Sequence, residues 1–82
     1  MSKSNEKWVS LSSLSLGQKG LIVAFSVDTA HGEYIQKMGL VPGELMEVVR
    51  IAPHEGTIEI KIRSYFASLR LEEADHIMVK PL

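Results

Sequence analysis

Polar and apolar positions alternate most cleanly over "TIEIKIR", where Ile58, Ile60 and Ile62 share one face and Glu59, Lys61 and Arg63 the other. A period of two predicts a half-buried strand. Four further stretches read as strands: the buried aliphatic run Gly20 to Ser26, the mixed apolar Leu45 to Ile51, Phe66 to Arg70, and Ile77 to Lys80 closed by Pro81. In the fourth strand Phe66 and Ser68 face one side, Ala67 and Leu69 the other. Turn residues mark the joints: Gly17 and Gly20 around Gln18-Lys19, "PHEG" after Ile51-Ala52, and Ser64-Tyr65.

Between the first two strands the period changes. His31, Tyr34, Ile35 and Met38 recur at three- and four-residue spacing behind the capping candidates Asp28 and Thr29, which predicts a two-turn helix. "MGLVPGE" then ends it. Gly39 supplies the left-handed conformation of a helix stop, and Pro42-Gly43 fits the central positions of a type II turn. Shorter signals flank this frame. Ser12 or Ser13 is a candidate cap for one helical turn near Leu11, with Leu11, Leu14 and Leu16 expected to point inward, and "LEEAD" suits another single turn.

Five short strands and one inserted helix imply a mainly β protein. The expected architecture is a small SH3-like, five-stranded, partly open barrel with a short helix between strands one and two, because a single flat sheet would leave one apolar face wet. The chain has 82 residues, enough for one domain and too few for two. Residues 1–7 read as a flexible polar tail and residues 8–82 as the domain.

Charge and composition narrow the function by exclusion. Nine Lys and Arg against ten Asp and Glu leave a formal charge of −1, so no global field draws the chain onto nucleic acid or anionic lipid. Cysteine is absent, which removes disulfides and thiolate sites. The longest apolar run, "LIVAF", is far below the roughly 20 residues of a membrane span, and the start carries no secretory signal pattern, so direct membrane insertion is not expected and the cytoplasm is the expected compartment.

His31, His54 and His76 lie far apart in sequence without helical partners, and Glu72, Glu73 and Asp75 read as a solvated acidic turn, so no metal site and no cofactor are expected. No nucleophile sits beside a base, and "GQKG" lacks the length and ending of a phosphate loop; an enzyme is not expected. Arg50, Lys61, Arg63 and Arg70 suggest a basic strip on the outer face, but Glu47 and Glu59 interrupt it, which disfavours a nucleic-acid platform. What remains is an apolar cluster at the corner: Met38, Leu40, Val41, Leu45 and Met46, with Tyr34 as a rim residue. One reading of it is simple core packing of the helix onto the barrel. The alternative is a binding edge, with Tyr34, Met38, Leu40, Val41 and Met46 as candidate partner contacts and Leu40 and Val41 held at the helix–barrel edge by the rigid turn.

The order "LSLGQKGLIVAF", "IQKMGLVPGELMEVV", "IAP", "IEIKI" and "FASLRLEEADHIMV" resembles the FeoA family, from about Leu11 to Val79. The resemblance implies a non-enzymatic protein that binds a cytosolic part of the ferrous-iron transporter, a membrane GTPase, and modulates iron(II) uptake. Self-association into a homo-oligomer stays open. The same module forms the C-terminal domain of iron-dependent repressors, which keeps an alternative open: an SH3-like regulatory or nucleic-acid-binding module. The chain departs from the family pattern at Tyr34, where arginine is frequent, and at "HEG" after Pro53, where Gly-Asp-Pro is frequent.

Overall fold

The computed structural model describes residues 7–25, 37 and 39–82. Among them run β1 (Val9–Ser10), a 3₁₀ turn (Leu11–Ser13), β2 (Lys19–Phe25), β3 (Leu45–Ala52), β4 (Thr57–Ile62), β5 (Tyr65–Arg70), α1 (Leu71–Ala74) and β6 (Ile77–Pro81). The strands form one antiparallel sheet in the order β1-β6-β2-β3-β4-β5. All five expected strands are present. The sixth is β1, two residues that pair Val9 with Val79 and Ser10 with Met78; so short a segment leaves no periodicity to read. Of the helix expected over His31 to Met38 only Lys37 is described, and it is helical; the rest lies outside the described residues.

Two irregularities curl the sheet. The register shifts between Ile22 and Ala24 where β2 meets β6, and between Val48 and Arg50 where β3 meets β4. An extra residue on one strand bends it and sharpens the local twist, which lets a short sheet wrap round one core. Inside lie Ile22, Met46, Val48, Ile58, Ile60, Ile62, Ala67, Leu69, Ile77 and Val79, joined by Leu11, Leu14, Leu40 and Ala74. The alternation read over residues 57–63 is kept: the isoleucines are buried, while Lys61 and Arg63 are exposed.

The two ends of the sheet meet through their short helical turns. The 3₁₀ turn after β1 and α1 after β5 contribute the fully buried Leu11 and Ala74, and the Ser12 hydroxyl donates to the Asp75 carboxylate across the seam. Glu73 is equally committed, accepting the Arg70 N–H at 2.9 Å where β5 hands over to α1. The acidic turn therefore pins the two ends of the open sheet together: its carboxylates answer the Ser12 hydroxyl and the Arg70 main-chain donor.

Three local expectations shift. Leu16 is 66% exposed, not inward, because Ser15 to Gln18 forms the turn, with Gly17 at φ 85° and its N–H bonded to Val48 O at 2.8 Å. The turn expected around Gln18-Lys19 thus falls earlier and Lys19 already opens β2, while Gly20 is a strand residue as expected, where a Cβ would stand 3.2 Å from Lys80 O. At the 3₁₀ turn the capping position falls to Ser10, whose carbonyl accepts the Ser13 hydroxyl at 2.7 Å.

Candidate functional site: the locked corner

The segment from Gly39 to Leu45 is fixed by several backbone constraints at once. Gly39 has φ 87° and Gly43 φ 96°. The Glu44 N–H donates to Val41 O at 3.1 Å, closing a turn with Pro42 and Gly43 at its centre. Proline presets the first central angle and glycine supplies the positive φ of the second, so this is the type II turn that the sequence predicts. No atom lies within 4 Å of a Cβ built on Gly43. Gly43→Val therefore tests the backbone angle alone, and a loss of more than about 1 kcal/mol is expected in urea denaturation. An unchanged midpoint would rule out strain at this position.

Three attachments fix the corner to the barrel. From below, Gly43 N–H donates to Ile22 O at 2.7 Å and Ile22 N–H to Glu44 O at 2.9 Å, extending the β2–β3 ladder into the turn. From the β4–β5 hairpin, Arg63 grips Glu44 with two bonds, Nε to Oε2 at 2.6 Å and Nη2 to Oε1 at 2.9 Å. The third is steric: a side chain at Gly39 would run into the Tyr65 hydroxyl. Arg63 itself sits at φ 56°, the only non-glycine with positive φ among the described residues. That conformation costs an L-residue about 1–2 kcal/mol, and the fork onto Glu44 helps to hold it. The hydrogen bond to Glu44 also raises the Arg63 pKa.

The corner sorts the candidate contact residues. Leu40 is 0% exposed and Met46 1%, so both belong to the core beneath the corner. Val41 is 37% exposed and Leu45 49%, on the outside of the same turn. Tyr34 and Met38 lie outside the described residues. The split is geometric. Leu40 follows the left-handed Gly39 and turns inward, whereas Val41 opens the turn and stays out; neighbours in a bend face opposite ways however similar their side chains.

Beside Leu45 opens a groove of about 470 Å³, lined by Lys19, Glu44, Leu45, Met46, Glu47, Lys61 and Arg63. Its floor is the outer face of β2, β3 and β4, where Lys19 stands opposite Glu47 and Glu47 opposite Lys61. One row further along, Arg50 stands opposite Glu59. The carboxylates thus fall between the cations in space as well as in sequence, and no continuous positive track crosses these strands. Among the described residues no group of three or more His, Asp or Glu side chains converges as a metal site. No helix among them is long and apolar enough to cross a membrane.

Exposed aromatic surface near this face was not in the candidate set. Phe66 is 58% exposed and Tyr65 40%, both on β5. Phe66 stands opposite Lys61, next to the groove. An aromatic residue on the polar side of an alternating strand is a signal that the sequence already carries.

The family model of the FeoA domain matches residues 9–81. The chain belongs to the FeoA family. Iron(II) transport protein A from Clostridium thermocellum is 36% identical, with a TM-score of 0.83, over 90% of this chain and 46% of that one. A Stenotrophomonas maltophilia FeoA complexed with zinc, described as a prokaryotic SH3 domain protein, has a TM-score of 0.75 at 22% identity, over 88% of this chain and 89% of that one. A manganese-dependent transcriptional repressor in complex with manganese has a TM-score of 0.89 at 20% identity, covering 96% of this chain and 39% of that one. The last two likenesses establish the SH3-like fold, shared by FeoA proteins and by part of a metal-dependent repressor. No curated protein matches the chain in sequence.

Proposed function

We propose that this FeoA-family chain is a cytoplasmic, non-enzymatic interaction module that binds the cytosolic part of a ferrous-iron membrane transporter and modulates iron(II) uptake. Family membership supplies the iron-transport setting. The Stenotrophomonas maltophilia FeoA has been put forward as a ferrous iron transport activating factor, which agrees with a transporter as partner. The observation that carries the reading is the locked corner: Val41 and Leu45 are apolar, exposed, and attached to a backbone fixed at Gly39, Gly43 and Glu44. Apolar groups already held in place lose little conformational entropy on docking, which favours recognition over catalysis.

Val41→Asp provides the test. Val41 is a surface residue, so the fold should survive the charge, while co-purification with the membrane transporter should fall at least about tenfold if the corner sits in a desolvated interface. Undiminished co-purification of a folded Val41→Asp protein, with and without nucleotide on the transporter, would remove the corner from the interface.

The repressor likeness favours a second reading, a regulatory module of a metal-responsive repressor type. Its nucleic-acid form is disfavoured by the alternation of Lys19, Glu47 and Lys61 across three strands. Salt separates the two: phosphate binding weakens steeply as salt rises, whereas an apolar protein interface does not.

A further inference from the structure

The sheet ends on β5, and the hydrogen-bond phase of that strand can be read from its hairpin. Ile62 and Tyr65 pair across a two-residue loop, so they exchange both main-chain bonds. The same phase then turns Ala67, opposite Ile60, and Leu69, opposite Ile58, towards β4. Phe66, Ser68 and Arg70 turn their main-chain groups away. Arg70 is answered by Glu73, whose carboxylate takes its N–H. Among the described residues no hydrogen bond engages the main-chain N–H or C=O of Phe66 or Ser68.

This leaves a short free edge with two donors and two acceptors, beneath exposed Phe66 and Ser68 side chains. Within β5 the sequence devices that usually blunt an edge are missing: the strand contains no proline and no register shift, and its only charge is at the end, on Arg70. We propose that β5 pairs antiparallel with β5 of a second copy of this chain about a twofold axis at Ala67.

Self-complementarity selects this occupant and this register. With Ala67 opposite Ala67, Phe66 of each copy stands opposite Ser68 of the other, and four main-chain bonds use every free group without disturbing the Arg70–Glu73 contact. Cross-strand partners share a face, so the outer surfaces stay outside and both cores stay closed. The small Ser68 leaves room for the facing Phe66, and the two phenyl rings become diagonal neighbours within reach of one another. Arg70 falls opposite Ser64, so no like charges meet. A twofold axis at Ser68 instead would call on the Arg70 N–H that Glu73 already holds. So short an edge buries less than the roughly 1,000 Å² of a stable complex, and the pairing is accordingly weak and concentration-dependent.

Sedimentation equilibrium of the full chain from micromolar to millimolar concentration tests this, with amide chemical shifts followed by NMR over the same range. The weight-average mass should climb from 9.1 kDa towards twice that, with the largest amide shifts at Phe66 and Ser68. Ser68→Pro deletes one edge donor, a change an edge strand tolerates, and Phe66→Lys sets like charges near one another at the axis; each should remain monomeric with an unchanged melting temperature. A chain that stays monomeric at millimolar concentration overturns the proposal. So does self-association that survives both variants, or that shifts other amides, such as those of Trp8 and Leu82, in place of Phe66 and Ser68. An edge that binds only an added extended peptide, without self-association, also overturns it and assigns β5 to a different chain.

Discussion

Leu40→Asp should abolish cooperative folding, leaving a circular dichroism melt without a sigmoidal transition. Leu40 is fully buried with Ile22, Met46 and Ile62 in the same core cluster, and no buried polar or charged side chain exists among the described residues to answer a carboxylate. The milder Leu40→Ala should cost about 2–5 kcal/mol for the lost contacts and the cavity. A domain of this size has only about 3–5 kcal/mol of core stability to lose, so even alanine leaves little, and burial of an uncompensated charge exceeds what remains. A folded Leu40→Asp protein with a normal melt would mean that Leu40 can swing out to the surface. Alongside Val41→Asp, the pair separates structure from recognition at adjacent positions: one substitution should remove the fold, the other only the binding.

That adjacency marks where the sequence is legible and where it is not. Strands were readable wherever one face is buried and the other wet, as over residues 57–63, because alternation is a direct consequence of the pleat. The two glycines and the proline of the corner were equally readable, since positive φ leaves few residue choices. Leu40 and Val41 were not separable, because hydrophobicity is the same signal whether a side chain fills a core or covers a partner. Only the direction in which the chain leaves Gly39 decides, and that depends on contacts remote in sequence. The Arg63–Glu44 fork spans 19 positions and the Ser12–Asp75 bond 63, and neither leaves a local pattern. Phe66 was legible as an outward residue, but its significance depends on β5 being the last strand of the sheet, a fact of strand order and not of strand sequence.

The role of Gly39 changes in the same way, from a local helix stop to a tertiary contact. Its φ of 87° would cost a residue with a Cβ about 1–2 kcal/mol, the share that Gly43 also carries. At Gly39 a second term adds to it, since the new Cβ must displace the Tyr65 hydroxyl and with it the packing of the β4–β5 hairpin against the corner. Gly39→Ala should therefore cost about 2 kcal/mol or more in urea denaturation, exceeding the cost of Gly43→Ala measured in parallel. The excess should vanish when Tyr65 is cut back: in a Tyr65→Ala background Gly39→Ala should cost only its backbone share, leaving a coupling of about 0.5–3 kcal/mol in the double-mutant cycle. Strictly additive costs would show that Tyr65 yields freely and that the steric attachment contributes nothing. A measured coupling would mean that Tyr65, 24 residues beyond Val41 and 20 beyond Leu45, helps to hold the corner in position, so changes at Tyr65 should weaken the proposed docking at Val41 and Leu45 as well as the fold.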